Sequence, residues 1–149
     1  MERLVNEIKI LMADDDADDR MMAQEAFEEA RLLNAIEFVE DGQELLDFLR
    51  RKGDYANRKD PLPGIVLLDL NMPKKDGRQA LEEIKSDPAI KHIPIVVLTT
   101  SKAEEDIIRS YKLGLSGYIT KPVSCEGLVE IMKALKLYWF DIVELPDDD

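Results

Sequence analysis

The stretch of sequence that decides the fold is Ile65-Val66-Leu67-Leu68-Asp69, a continuous apolar run that ends at a carboxylate. A strand in a parallel sheet is covered on both faces, so it is apolar at every position rather than at alternate ones. The run from Pro94 to Leu98 has the same character, and the run from Ile8 to Ala13 has it apart from Lys9. We predict that these three segments are buried strands of one parallel sheet.

Amphipathic segments alternate with the strands, and the apolar residues of each recur at the spacing of one helical face. Two weaker strands, over residues 35–39 and 117–120, complete the alternation. This order predicts a doubly wound α/β fold, a five-stranded parallel sheet of order 2-1-3-4-5 with five helices on both faces. The apolar helical residues are Met22, Ala23, Ala26, Phe27 and Ala30; Leu45, Leu46 and Leu49 after an Asp41 cap with Glu44 three residues on; Ala80, Leu81 and Ile84; Ile107, Ile108 and Tyr111; and Leu128, Ile131, Met132 and Leu135.

Length and composition limit the kind of protein. The 149 residues suit one domain, predicted over residues 1–140, with a partly packed extension over 141–149 that ends in a frayed acidic tail. The net charge of −12 argues against nucleic acid and against anionic membrane surfaces as partners. No apolar stretch is long enough to span a membrane, and the charged N-terminus does not resemble a signal peptide. A single cysteine favours a cytoplasmic location, and one Cys with one His cannot form the usual Cys/His zinc site.

Charged and hydroxyl side chains follow the strands whose carboxyl ends meet in such a sheet, where doubly wound folds bind ligands. Asp14 and Asp15 follow the first strand, Asp69 the third, Thr99 the fourth and Lys121 the fifth. Three close carboxylates repel one another unless a hard divalent cation lies between them, and their oxygens suit Mg²⁺. We therefore predict a Mg²⁺ site in which one of the three acids is phosphorylated as an aspartyl phosphate. The ammonium and the hydroxyl would contact the phosphoryl oxygens.

Four motifs at these positions resemble the receiver domains of two-component response regulators. The resemblance covers about Ile8 to Leu137 in the right order and spacing, and it implies a flavodoxin-like, CheY-like fold. The motifs are Asp14-Asp15; the run from Ile65 to Pro73 with Asp76-Gly77; Leu98-Thr99; and Gly117-Tyr118-Ile119-Thr120-Lys121-Pro122.

The resemblance implies a role for each residue at the metal and phosphoryl site. Asp69 would be the phosphoacceptor, Asp15 a direct metal ligand and Asp14 the acid that holds metal-bound water. Asn71 would give its backbone carbonyl to the metal. Lys121 would pair with the phosphoryl oxygens. Asp69 and Lys121 would therefore be the two catalytic residues.

The resemblance also implies a switch pair, Thr99 and Tyr118, in which the hydroxyl moves toward the phosphoryl group and the ring turns inward. A cis peptide is implied before Pro122. Two positions depart from the family pattern: Thr100 replaces the usual Ala or Ser beside the pocket, and Leu115 replaces a small residue.

The implied function is a signalling switch rather than a classical enzyme, since it catalyses only its own phosphotransfer and dephosphorylation. The phosphodonor would be a sensor histidine kinase or a phosphotransfer protein. Because no output domain is evident, the output would be protein–protein contact or a relay step. The apolar tail over residues 137–146 resembles those of stand-alone receivers paired with bacterial phytochrome kinases. It predicts a homodimer through the fourth helix, the fifth strand, the fifth helix and the tail itself.

Alternatives remain for several features. A small haloacid dehalogenase-type Mg²⁺ phosphatase would also use an aspartyl phosphate, although no Asp-x-Asp-x-Thr motif follows the first strand. Asp16, Asp18 and Asp19 are better explained as residues that cap and solvate the first helix. A calcium loop over this acidic run is rejected, because its sixth position lacks glycine. The basic patch of Arg50, Arg51, Lys52, Arg58 and Lys59 is interpreted as a solvated loop, with a partner contact as the alternative.

Overall fold

The computed structural model describes residues 9–29, 36–70, 72, 74–99, 117–121, 124, 126–127 and 130. The strands are β1 (Ile10–Ala13), β2 (Ile36–Val39), β3 (Ile65–Asp69), β4 (Ile95–Thr99) and β5 (Gly117–Thr120). The helices are α1 (Ala17–Glu29), α2 (Gly42–Arg50) and α3 (Gly77–Lys85), with a short 3₁₀ helix over Gly53–Tyr55. The predicted fourth helix, over residues 107–111, lies outside the described residues, as does the predicted fifth helix over 128–135 apart from residue 130, which is helical.

The five strands form one parallel sheet of order β2-β1-β3-β4-β5, which confirms the predicted topology. Strands β1, β3 and β4 are buried at every position, as expected for strands covered on both faces. Because successive side chains point to opposite faces, two hydrophobic clusters form. One packs α1 against the sheet, and the other packs α2 and α3 against the opposite face.

The sequence prediction differs from the structure at several element boundaries. Strands β3 and β4 each extend to their terminal polar residue, Asp69 and Thr99, which were expected to follow the strands. Strand β4 begins at Ile95 rather than Pro94. Strand β1 begins at Ile10, whereas the predicted strand begins at Ile8.

Met22 was predicted to lie on the buried face of α1, and this prediction is wrong. Its side chain is 40% exposed, whereas Ala23, Ala26 and Phe27 are buried. Adjacent helical residues are separated by about 100°, so the narrow stripe that meets the sheet includes Ala23 and not its neighbour.

The Gly, Asn and Pro residues of the segment 51–64 predict a long loop, but the segment contains the 3₁₀ helix. The Tyr55 ring packs on Phe48 with ring centroids 4.9 Å apart. The Tyr55 hydroxyl donates a hydrogen bond of 2.6 Å to Glu44. These contacts bring the turn onto α2, and the sequence of the segment alone does not indicate them.

The basic patch contains arginines that are paired with acids of the same chain. Arg58 donates two hydrogen bonds to Glu37 on β2, at 2.7 and 2.8 Å, and also contacts Asp60. Arg50 donates to Asp87 at 3.1 Å. These pairs border a cavity of about 550 Å³, and they make most of the patch an internal network rather than a free basic surface.

None of the helices in the described part of the chain is long and apolar enough to cross a bilayer.

Candidate metal and phosphoryl site

Three carboxylates converge at the carboxyl ends of β1 and β3. These strands are neighbours with Ala13 beside Leu68 in register, so Asp14 and Asp69 follow at the same level of the sheet. One carboxylate oxygen from each of Asp14, Asp15 and Asp69 lies within 4.8 Å of the others. Asp14 and Asp69 are buried, whereas Asp15 is exposed. The predicted convergence of the three acids is therefore present.

The carboxylate of Asp14 is fully buried and lies beside the ammonium of Lys121. Burial raises the pKa of Asp14, although a hydrogen bond from the Asp16 backbone and the nearby Lys121 act in the opposite direction. Its Oδ2 lies 2.9 Å from Nζ of Lys121, but it accepts no well-aligned hydrogen bond from any residue that the structure describes. Crowded oxygen ligands of this kind fit a hard divalent cation.

Lys121 places its ammonium at the centre of the acids. Its backbone N–H donates to the carbonyl of Thr99 at 2.7 Å, which fixes the chain just after β5. Burial disfavours the charged amine, but the hydrogen bond to Asp19 and the attraction of the nearby Asp14 and Asp69 carboxylates outweigh it. Together they raise the pKa of Lys121 above its ordinary value. The amine is therefore charged at neutral pH, and it does not point into bulk solvent.

Asp19 is the site residue that the sequence did not reveal. Its Oδ2 lies 2.7 Å from Nζ of Lys121, so the interpretation of Asp19 as only a solvating residue of the helix is incomplete. The capping role belongs to Asp16, whose Oδ1 accepts from the backbone N–H groups of Asp18 and Asp19. The signal was weak, because the direction of a side chain in the first helical turn depends on how that helix packs on the sheet.

Thr99 and Tyr118 lie on the same face of the sheet. Tyr118 is beside Val97 in the β4–β5 register, and Thr99 follows Val97 by two residues. Thr99 is fully buried, and its hydroxyl has no hydrogen-bond partner among the residues described here. The half-buried Tyr118 packs against the cluster that also contains α2 and α3. The Thr99 hydroxyl lies at the strand end nearest the acids, and the role of the pair as a switch stays a prediction.

Gly77, at the start of α3, lies against the backbone of the candidate phosphoacceptor. A Cβ at this position would lie 2.4 Å from the carbonyl oxygen of Asp69, closer than any real contact. The Gly77 N–H also donates to the carbonyl of Leu70 at 2.9 Å. The motif Asp76-Gly77 is therefore more than a turn: Asp76 caps α3 with a capping box to Gln79, and the glycine permits close packing.

Some predicted positions lie outside the described residues. They are Asn71, Thr100, Leu115 and Pro122, with the implied cis peptide.

The chain is similar to known signalling proteins over nearly its whole length. A family model described as "Response regulator receiver domain" matches residues 10–133. Response regulator Rcp1 of Synechocystis sp. (strain ATCC 27184 / PCC 6803 / Kazusa) is 39% identical over 137 residues, which span 92% of each chain.

Solved structures agree with this similarity. The bacteriophytochrome response regulator RtBRR matches with a TM-score of 0.86 and 35% identity, over 95% of this chain and 85% of that chain. The phosphorylated cyanobacterial phytochrome response regulator RcpA matches with a TM-score of 0.72 and 44% identity, over 89% and 94%. The Mn²⁺-bound form of Rcp1 matches with a TM-score of 0.71 and 39% identity, over 93% and 99%.

Proposed function

The chain belongs to the response regulator receiver domain family, and from this membership we propose that Asp69 accepts the phosphoryl group beside a bound Mg²⁺. Receiver domains are phosphoaccepting signalling proteins of two-component systems rather than classical enzymes, and they bind a divalent metal. The comparisons do not support the alternative of a haloacid dehalogenase-type phosphatase.

The convergence of three carboxylates with one ammonium is the observation that carries this assignment. Asp69 ends the central strand β3, between β1, which carries the other acids, and β4, which carries Thr99. Its Oδ2 lies 3.4 Å from Nζ of Lys121. This central position, together with the family membership, favours Asp69 as the nucleophile.

The metal would be held by the carboxylates of Asp15 and Asp69 and by the backbone carbonyl of Asn71, with Asp14 holding metal-bound water. When bound, Mg²⁺ would neutralise the acids and stabilise the charge on the transferring phosphoryl oxygens. The choice of Mg²⁺ over other divalent ions is supported by the oxygen-only donor set.

We propose that the phosphoryl group comes from a phosphohistidine. An oxygen of Asp69 forms a bond to phosphorus while the P–N bond breaks, and the imidazole nitrogen keeps the electron pair. Lys121 pairs with the phosphoryl oxygens, and the Thr99 hydroxyl, which has no partner among the described residues, donates to one of them. Dephosphorylation by water would use the same groups, so the chain would catalyse only these reactions of its own phosphoryl group.

The added phosphoryl group brings about −1.5 to −2 charges to the pocket. We propose that the Thr99 hydroxyl then moves toward it and that the Tyr118 ring turns inward behind it. The surface formed around β5 would change its affinity for protein partners, as a population shift between two packings.

The similarity to phytochrome response regulators suggests a donor kinase of the phytochrome type, with a phosphotransfer protein as the alternative donor. A single receiver domain over residues 1–140 with an extension over 141–149 remains our proposal for the chain. The apolar tail over 137–146 supports a homodimer, and the single cysteine favours the cytoplasm.

Intact mass spectrometry after incubation with acetyl phosphate and Mg²⁺ tests the assignment. We expect one added phosphoryl group on the wild type and none on Asp69→Asn or after treatment with EDTA. Asp18→Asn, which removes an exposed acid from the same acidic run, is the matched control and should be phosphorylated normally. Phosphorylation that persists in Asp69→Asn would contradict the proposal.

A further inference from the structure

Asp19 makes the closest contact to the ammonium of Lys121 among the acids around it. Its Oδ2 lies 2.7 Å from Nζ, compared with 2.9 Å for Asp14 and 3.4 Å for Asp69. Asp19 is not one of the three acids whose oxygens converge on a common point. A metal held by those three acids would therefore leave the pair of Asp19 and Lys121 in place.

We propose that Asp19 is a positioning residue that competes with the phosphoryl group for the Lys121 ammonium, and so weakens phosphoryl binding at Asp69. This inference rests on the proposed roles of Asp69 and Lys121. In this role, a residue in the first turn of α1 lowers the affinity of the site for the phosphoryl group.

The competition follows from the number of donors and acceptors. A lysine ammonium has three N–H donors, and three carboxylates already surround this one. A phosphoryl group on Asp69 adds new acceptor oxygens next to the same ammonium. A metal would offset the charges of Asp14 and Asp69, but it would leave the charge of Asp19 free to attract the lysine.

The location of the pair makes the competition stronger than it would be at an open surface. The Lys121 side chain is 12% exposed and that of Asp19 is 26% exposed, so water and salt screen the pair less than a fully exposed one. The backbone contact of Lys121 with Thr99 limits how far the lysine can move away.

Binding of fluoroberyllate, a tetrahedral anion that mimics a phosphoryl group on a carboxylate, tests this role. It is measured by calorimetry on the full chain with Mg²⁺. We expect Asp19→Asn to bind it about fivefold more tightly than the wild type, because the ammonium is released from its competitor. Asp19→Glu, which keeps a carboxylate, should stay closer to the wild type.

Asp18→Asn is the matched control, since it removes the same charge from the neighbouring exposed residue. Its affinity should equal that of the wild type. Asp19→Asn with unchanged or weaker binding, or an equal gain in Asp18→Asn, would overturn the role of Asp19.

A second readout needs no metal. In EDTA, the unfolding midpoints of Asp19→Asn, Lys121→Gln and the double variant should be non-additive, because each single substitution breaks the same contact. Additive effects would show that the contact is not formed in solution.

The two proposals fail in distinguishable ways. If the wild type binds no fluoroberyllate, or if Asp69→Asn binds it equally well, the proposed function fails. If binding depends on Asp69 but Asp19→Asn behaves like Asp18→Asn, only the role of Asp19 fails.

Discussion

The Thr99 hydroxyl lies fully buried at the end of β4, without a hydrogen-bond partner among the residues that the structure describes. A buried polar group left unpaired costs about 1–3 kcal/mol, whereas an apolar group of the same shape avoids that cost. The proposed phosphoryl group would supply a hydrogen-bond acceptor for this hydroxyl.

Substitution of Thr99 by Val should therefore separate stability from function. We expect the free energy of unfolding of Thr99→Val to equal that of the wild type or to exceed it by up to about 1 kcal/mol. Denaturant unfolding measures this difference. The affinity of Thr99→Val for fluoroberyllate with Mg²⁺ should fall by about tenfold, because one donor to the bound anion is lost. Thr99→Ser, which keeps the hydroxyl, is the control for binding. A clear loss of stability in Thr99→Val with unchanged binding would contradict this interpretation.

The site residues differ in how well the sequence predicted them. Asp14, Asp69 and Lys121 each lie at the carboxyl end of a strand that the sequence predicts, and parallel strands bring their carboxyl ends together, so their convergence could be predicted. Asp19 could not be predicted in the same way, because its acidic neighbours in the run have equal helical propensity and only the packing of α1 selects which one faces Lys121. Met22 was misplaced for the same reason.

At the scale of the elements, a network of ion pairs connects β2 to the loop before β3. Arg58 hydrogen-bonds Glu37, which lowers the pKa of Glu37 from about 4.5 to about 2. Arg58 and Lys9 also hold the pKa of Asp60 well below its ordinary value. The long loop is thereby fastened to an edge strand of the sheet.

This network predicts a pH dependence of stability. A carboxylate whose pKa is lower in the folded state contributes stability above its unfolded pKa, and this is lost as the pH falls through the folded pKa. For Glu37 the contribution is complete above about pH 5 and declines between about pH 4.5 and 2.

Arg58→Gln should therefore lower the free energy of unfolding by about 1 kcal/mol at pH 7, a modest value because the pairs are partly exposed. The difference from the wild type should shrink as the pH falls from 5 to 2. Denaturant unfolding at a series of pH values measures it. Lys59→Gln, which removes an exposed charge from the same loop, is the control. A difference that stays constant with pH would contradict the assigned role of Glu37.

The pattern of apolar residues predicted those described elements that pack against the core with a continuous apolar run or a single apolar stripe. Continuous apolar runs marked β1, β3 and β4, and the Asp41 cap with its apolar stripe marked α2, whose Asp41 side chain accepts from the Glu44 N–H. The 3₁₀ helix over Gly53–Tyr55 was missed, because it depends on Tyr55 reaching Phe48 and Glu44 of α2. Contacts between segments of this kind leave no periodic pattern in the sequence.

At the scale of the whole molecule, the proposed dimer depends on the apolar tail over residues 137–146. A chain that ends at Lys136 should sediment as a monomer under conditions in which the full chain sediments as a dimer, because the apolar contact area would be lost. Replacement of Asp147, Asp148 and Asp149 by Asn is the control, since it changes the charge of the end without shortening the apolar part. Equal sedimentation of the shortened and full chains would show that the tail does not mediate association.

The central claim is that the phosphoryl group is carried by the carboxylate of Asp69. Borohydride reduces an acyl phosphate to an alcohol, so it converts a phosphorylated aspartate into homoserine that peptide mass spectrometry can locate. After reaction with acetyl phosphate and Mg²⁺, we predict homoserine at position 69 alone. Homoserine at position 14 or 15, or a phosphorylated chain that yields no homoserine, would contradict the account.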